Sequence, residues 1–180
     1  MSQHPTAALT DAKATCAHSL EIMADSDLAD FEALIHPEAI NREASGPPAT
    51  RGTGPAAFHA AALWLRGAFS GLRWQIHDMA ADSDLIAIHS TWSGRHVRPF
   101  VTYDDAGTVA QAMPPTSKTF TATQSHWFRL ADGKIIEHWA NRDDLPMAQQ
   151  LGWIPPSPGY LVRTALAKYR ARRPGNGVSR

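Results

Sequence analysis

The residues best able to do chemistry lie late in the chain. Asp143 and Asp144 are adjacent carboxylates, Asn141 stands just before them, and His126 and His138 flank Asp132-Gly133. A carboxylate held against an apolar wall such as Trp139 is desolvated, which suits it to take or give a proton near neutral pH. An imidazole or amide within hydrogen-bond reach can hold the oxygen on which negative charge gathers. Together they could move a proton at a carbon acid without a metal. Asp-Gly favours a two-residue hairpin turn, which sets Ala131 opposite Lys134, His126 opposite Trp139 and Trp127 opposite His138. Opposed residues share a face. His126 is therefore expected beside Phe128, Glu137, Trp139 and Asn141, on a path to Asp143. Only one of the two histidines then enters a pocket, unless a bulge intervenes, and His126 is the one expected there. A structural reading competes at each position. One aspartate caps the helix that begins near Leu145, and His126 is a half-buried histidine bonded to backbone or to Glu137.

Other chemistries lack their signatures. The nine histidines form no HxxxH, HxH or HExxH pattern, and Cys16 is the one cysteine, so no metal and no disulfide are expected. There is no GxGxxG, no Walker loop and no GxSxG elbow, so no nucleotide cofactor and no α/β-hydrolase site are expected. The 180 residues carry 17 bases and 17 acids, which argues against a nucleic-acid partner. The balance is uneven, because residues 145–180 hold six bases and no acid. No apolar run is long enough to span a membrane. Met1–Leu9 shows no basic start followed by an apolar stretch, so a reducing cytoplasm is the expected location.

The elements that must position these residues follow from the spacing. Residues 1–10 are expected to be a flexible start, residues 11–154 one domain, and residues 155–180 a proline-rich linker with a basic helix. Ala14, Ala17, Leu20 and Met23 mark a first helix capped by Asp11, and Leu28, Phe31, Leu34 and Ile35 a second, ended by His36-Pro37. Residues 41–53 read as a loop. Phe58, Ala62, Leu65 and Phe69 mark a third helix ended by Gly71. The period then changes to alternation at 72–79 and 85–92, with further strands at 100–103, 119–130 and 135–141. Leu145–Leu151 is a short helix closed by Gly152. Helices followed by strands read as α+β, with strands joined by turns pairing antiparallel. In the tail, Val162, Ala165, Leu166 and Tyr169 form one apolar stripe, expected to dock on the body or on a partner subunit.

Four segments carry a resemblance. They are Gly54-Pro55-Ala56-Ala57-Phe58, Ala68-Phe69-Ser70-Gly71-Leu72, Pro114-Pro115-Thr116-Ser117-Lys118-Thr119-Phe120, and Asp132–Trp139 continued by Arg142-Asp143-Asp144-Leu145 and Gln149-Gln150-Leu151-Gly152. In this order they resemble the SnoaL-like polyketide cyclase ("ester cyclase") family of the NTF2-like superfamily, over about residues 15–152. The resemblance implies a cone of helices over a curved antiparallel sheet enclosing an apolar pocket. It also implies a homodimer formed through the outer sheet face. It further implies intramolecular aldol chemistry on a hydrophobic small molecule by acid–base catalysis, with no metal or cofactor. Isomerases, dehydratases and non-catalytic binding modules share the superfamily, so the fold alone does not choose among them.

The family's carboxylate after the last strand falls on Asp143 or Asp144, with His126 as partner. The family's polar pocket positions fall on Asn41, with Glu43 beside it, and on His96, with His89 nearby, and the face shared with His126 adds Phe128, Trp139 and Asn141 as expected substrate contacts. Family members commonly carry an aspartate directly after the tryptophan of that strand, where this chain has Ala140. Six tryptophans suit a core and, around a cavity, a flat aromatic ligand.

Overall fold

The computed structural model describes residues 5–43 and 45–172, with the side chains of residues 5–8 excepted. Of the expected flexible start, residues 1–4 lie outside the described residues. The first helix, α1 (Pro5–Glu21), begins before Asp11. A short α2 (Leu28–Leu34) follows, with the Asp27 carboxylate accepting from the Ala29 N–H at 2.9 Å. A 3-10 turn (Pro48–Arg51) then leads into α3 (Gly54–Ala68). The Arg66 guanidinium of α3 donates to the carbonyls of Ile22, Met23 and Ser26 at 2.6–2.8 Å. It thereby ties α3 to the end of α1.

The strands are β1 (Ile35–Asn41), β2 (Phe69–Asp82), β3 (Leu85–His96), β4 (Phe100–Tyr103), β5 (Val109–Met113), β6 (Thr119–Ala131) and β7 (Lys134–Arg142). Five of them form one sheet in the order β1-β7-β6-β3-β2, and β4 pairs with β5 alone. The expected all-antiparallel sheet is corrected at one edge, where β1 runs parallel to β7. The apolar pattern, interrupted by His36-Pro37, predicts helix at Ile35 and loop from Asn41, whereas both belong to β1. An edge strand tolerates that proline, since its missing N–H costs no ladder bond on the open side.

On β3 and β6 the buried residues alternate as expected: Ile86, Ile88, Ser90 and Trp92 on one strand, Phe120, Ala122, Gln124, His126 and Phe128 on the other. This concave face, with Phe31 and Phe58 from the helices, forms the main core around Cys16, Ile35 and Ile135. A second cluster gathers Phe69, Leu72, Trp92 and Phe120 with Met147 and Leu151 of α4 (Asp144–Leu151). The last helix, α5 (Pro158–Ala171), is capped by Ser157, whose Oγ accepts from the Tyr160 N–H at 3.2 Å.

The β6–β7 hairpin corrects the expected register. Asp132 and Gly133 form the turn with positive φ of 51° and 76°, and Ala131 pairs with Lys134. A bulge then leaves Ile136 as the extra residue, so Arg129 faces Glu137, Phe128 faces His138, Trp127 faces Trp139 and His126 faces Ala140. One extra residue exchanges the faces of everything beyond it. His138 joins His126 on the concave side. Trp139 and Asn141 move to the convex side, where Trp139 stacks on Trp127 with centroids 6.1 Å apart.

Candidate active site

A cavity of about 530 Å³ opens where α3, β3, the β4–β5 pair, α4 and α5 meet. Trp64, Trp92, Phe100, Met113, Met147 and Trp153 give it an apolar, mostly aromatic lining. Phe100 stacks on Trp64 at 4.8 Å and on Trp153 at 5.9 Å, so three flat rings form one wall. The Trp64 indole N–H donates to the Val101 carbonyl at 2.8 Å. Among the described residues, Trp92 Nε1 and Trp153 Nε1 are buried with no hydrogen-bond partner. An unpaired buried donor is costly, and both nitrogens are packed behind the aromatic wall, shielded from the cavity space as well as from solvent.

The charged lining comes from β7, α4 and α5. Asp144 reaches the cavity rim with its side chain 65% exposed, and Arg142 Nε lies 3.4 Å from its Oδ1. Arg142 also pairs with Glu43, whose second oxygen accepts the Ala140 backbone N–H at 3.1 Å. Glu43 thus brings a carboxylate to the strand edge beside Ala140. Asp143 occupies the N-cap position of α4 without a side-chain cap bond, is exposed, and does not line the cavity.

Behind the cavity wall runs a line of buried polar groups. The Trp74 indole N–H donates to Gln124 Oε1 at 3.1 Å, and His126 Nε2 lies 2.8 Å from the same oxygen. His126 Nδ1 is 3.1 Å from His138 Nε2, and His138 Nδ1 is 3.1 Å from Asn41 Oδ1. Asn41 Oδ1 also accepts the Glu43 backbone N–H at 3.2 Å. Trp74 and the backbone N–H can only donate, so both amide oxygens are fixed toward the imidazoles. Saturating the chain takes three ring N–H groups, and two neutral imidazoles supply two. Burial pushes His138 down to about 4 and His126 well below its ordinary value, with the neighbouring His138 and Arg142 charges acting in the same direction on His126.

The sequence-expected residues therefore divide. Asp144 reaches the cavity only at its rim, where it is largely exposed and paired with Arg142, so the expected desolvation against Trp139 is not found. His126 is inside the cone but lines neither this cavity nor a smaller one of about 50 Å³ beneath α1, which Asn41, Phe128 and His138 line. His96 is fully buried in the second core cluster, its ring 5.3 Å from both Phe69 and Trp153. His89 lies on the convex face near His77. Trp139 and Asn141 are turned outward by the bulge. Sequence reasoning missed Arg142, Trp92 and Trp153 as cavity groups and His138 as the partner of His126. Alternation along β3 already placed Trp92 inward, whereas the β7 positions depended on a bulge with no local signal.

The sequence from residue 15 to residue 151 matches the family model described as SnoaL-like polyketide cyclase. The chain belongs to this family. Among curated relatives, it is 31% identical to the nogalonic acid methyl ester cyclase of Streptomyces nogalater, over 68% of this chain and 84% of that one. It is 34% identical to the aklanonic acid methyl ester cyclase DnrD of Streptomyces peucetius, over 73% and 82%. Among solved structures, TsrD from Streptomyces laurentii superposes with a TM-score of 0.64 at 23% identity, covering 79% of this chain and 96% of that one. A Jannaschia protein superposes with a TM-score of 0.65 at 18% identity, covering 87% and 99%. These likenesses show an NTF2-like α+β fold. Among the described residues, no helix is long and apolar enough to cross a membrane.

Proposed function

We propose that this SnoaL-like protein is a cofactor-independent cyclase that closes a ring in a hydrophobic polyketide by intramolecular aldol addition. The observation that carries this reading is the aromatic cavity with one carboxylate, Asp144, and one guanidinium, Arg142, together at its rim. Asp144 takes the proton alpha to a substrate carbonyl. The Arg142 guanidinium, which lines the cavity beside Asp144, donates to the enolate oxygen. The enolate carbon attacks a second carbonyl of the same molecule, and the protonated Asp144 returns its proton to the new alkoxide. Atoms balance without an outside reactant. His126 is a positioning residue: it holds Gln124, which holds Trp74, which stacks on Trp92 at 6.0 Å.

In this reading the cavity, with Asp144 as base and Arg142 beside it, replaces the carboxylate that Ala140 cannot supply. The same position favours a second reading. Ala140 stands directly opposite His126, where a carboxylate would contact an imidazole, and without it the cone could serve as a binding module for a hydrophobic ligand. The reading also takes the protein as a homodimer, formed through the convex face that carries the Trp127–Trp139 stack. Incubation of the purified chain with aklanonic acid methyl ester and nogalonic acid methyl ester, followed by mass spectrometry and absorbance, tests catalysis. Conversion to an isomer of unchanged mass supports the cyclase. Tight binding of both esters without conversion selects the binding module.

A further inference from the structure

The last helix turns its apolar stripe away from the body. Val162, Leu166 and Tyr169 are exposed at 61%, 50% and 55%, with Ala165 exposed between them and Leu161 at 55% beside them. The expected docking of this stripe on its own body is therefore corrected, and docking on a second subunit is what the surface leaves open. The partly buried side of α5 is Tyr160, Thr164, Ala167 and Lys168. Arg163 and Arg172 hold this orientation by donating to the carbonyls of Pro115 at 2.9 Å and Val109 at 3.0 Å. An apolar stripe gathered on one exposed helix marks an interaction surface. Its rim is basic. Arg163 and Arg170, seven residues apart, run along one border, Arg172 stands at its end, and residues 145–180 hold no acid.

The inverse surface lies on α2 and α3 of the same chain. The Phe31 ring of α2 meets the His59 ring of α3 at 5.2 Å, while Arg66 of α3 reaches the carbonyls of Ile22, Met23 and Ser26. The two helices therefore run antiparallel, with Leu28 level with Leu63. Leu28 is 37% exposed and Leu63 52%, and Ala29 and Ala33 are exposed beside them. Asp25, Asp27, Asp30 and Glu32, all exposed, surround this apolar centre. The nearest bases are spent on backbone: Arg66 on the three carbonyls above, and Lys134 on the Glu32 carbonyl at 2.7 Å. The stripe of α5 faces away from its own body, so it meets such a patch only on another molecule. A membrane or a nucleic acid is a poorer match. The whole chain has 17 bases and 17 acids, so an extended anionic surface would meet the acids of the body along with the bases of α5.

We propose that the outward stripe of α5 docks on the α2–α3 patch of a second copy of this chain, with Val162 and Leu166 against Leu28 and Leu63 and the α5 arginines facing the acids of α2. Different surfaces meet on the two copies, so the contact is head to tail, and it is distinct from the convex sheet face. One partner surface, α5, lies beyond residues 15–151 that match the family model. The contact does not depend on what the cavity binds or catalyses.

Disulfide trapping between two full-length variants, Leu63→Cys and Val162→Cys, tests it. Both positions are exposed, and the native Cys16 is fully buried. Each variant is oxidised with copper phenanthroline alone and in an equal mixture, at about 100 μM, where a contact this small is populated. The mixture should yield several-fold more cross-linked chain than either variant alone, with the disulfide joining positions 63 and 162 in peptide mass spectra. Raised salt should lower that yield, and so should Leu166→Asp added to the Val162→Cys chain. A mixture that cross-links no better than the separate variants would overturn the contact. Binding of the wild type to phosphatidylserine vesicles, lost in Leu166→Asp and unaccompanied by the mixed disulfide, would overturn it in favour of a lipid surface.

Discussion

At the scale of the residue, the buried histidines make the protein sensitive to acid. Burial pushes His96 and His138 from 6.5 to about 4, partly offset at His96 by a backbone hydrogen bond at Arg98, and pushes His126 well below 6.5. The unfolded chain binds these protons near its ordinary pKa while the folded chain does not. Stability is therefore greatest above pH 6.5 and is lost as pH falls from there toward 4. Urea midpoints measured between about pH 7 and pH 5 should fall, and more steeply in the wild type than in His138→Gln. Parallel curves would contradict the described burial. Ala140→Asp gives a second residue-level outcome. A carboxylate directly opposite His126 raises the imidazole's pKa, visible as an upward-shifted His126 titration by NMR. An unchanged titration would mean that the two positions are not cross-strand neighbours. The Asp-Gly turn made the inward face of His126 legible, and the family resemblance pointed to Asp143 or Asp144, but neither showed that His126 lies outside the large cavity. The sequence hid the His126–His138 contact because that contact depends on Ile136 being unpaired, and isoleucine carries no mark of a bulge.

At the scale of the element, strand β1 is what brings Asn41 and Glu43 to the site, and α3 fixes where β1 lies. Gly54, at the start of α3, has φ of 76°, and a Cβ there would lie 2.4 Å from the Pro37 carbonyl oxygen. Backbone must shift to admit it, and a left-handed conformation adds strain of about 1–2 kcal/mol for any other residue. Gly54→Ala should therefore lose more than about 2 kcal/mol in denaturant unfolding, whereas Gly67→Ala in the same helix, where a Cβ meets nothing within 4 Å, should lose none. Equal effects would show that β1 and α3 do not touch as described. The helices, the alternating strands and both tight hairpins were readable from periodicity and turn chemistry. The β1 edge was not, because its pairing with β7 is long-range and parallel and leaves no local pattern. The orientation of α5 was also misread. Amphipathicity predicts that the apolar stripe turns inward, whereas Arg163 and Arg172 fix α5 to the Pro115 and Val109 carbonyls with Tyr160, Thr164 and Lys168 on the inner side.

At the scale of the whole molecule, the cone, the last helix and the convex face make separable claims. Removing residues 157–180 should open one wall of the cavity, weakening binding of nogalonic acid methyl ester while the remaining domain, whose two core clusters exclude α5, still unfolds cooperatively. Loss of cooperative unfolding would make α5 part of the core instead. Sedimentation should find a dimer at micromolar concentration, and Trp139→Lys, placed on the convex face, should yield monomers. A wild-type monomer would remove the proposed dimer without touching the cavity. The central claim is that Asp144 does the proton transfer at the rim of an aromatic cavity, and the most direct measurement is single-turnover cyclisation of an open-chain methyl ester substrate by the wild type and by Asp144→Asn, with substrate affinity measured in parallel. Asparagine keeps the shape of the rim and removes the base. The account predicts a rate reduced roughly a hundredfold or more with affinity within about threefold. An Asp144→Asn variant as fast as the wild type would contradict it.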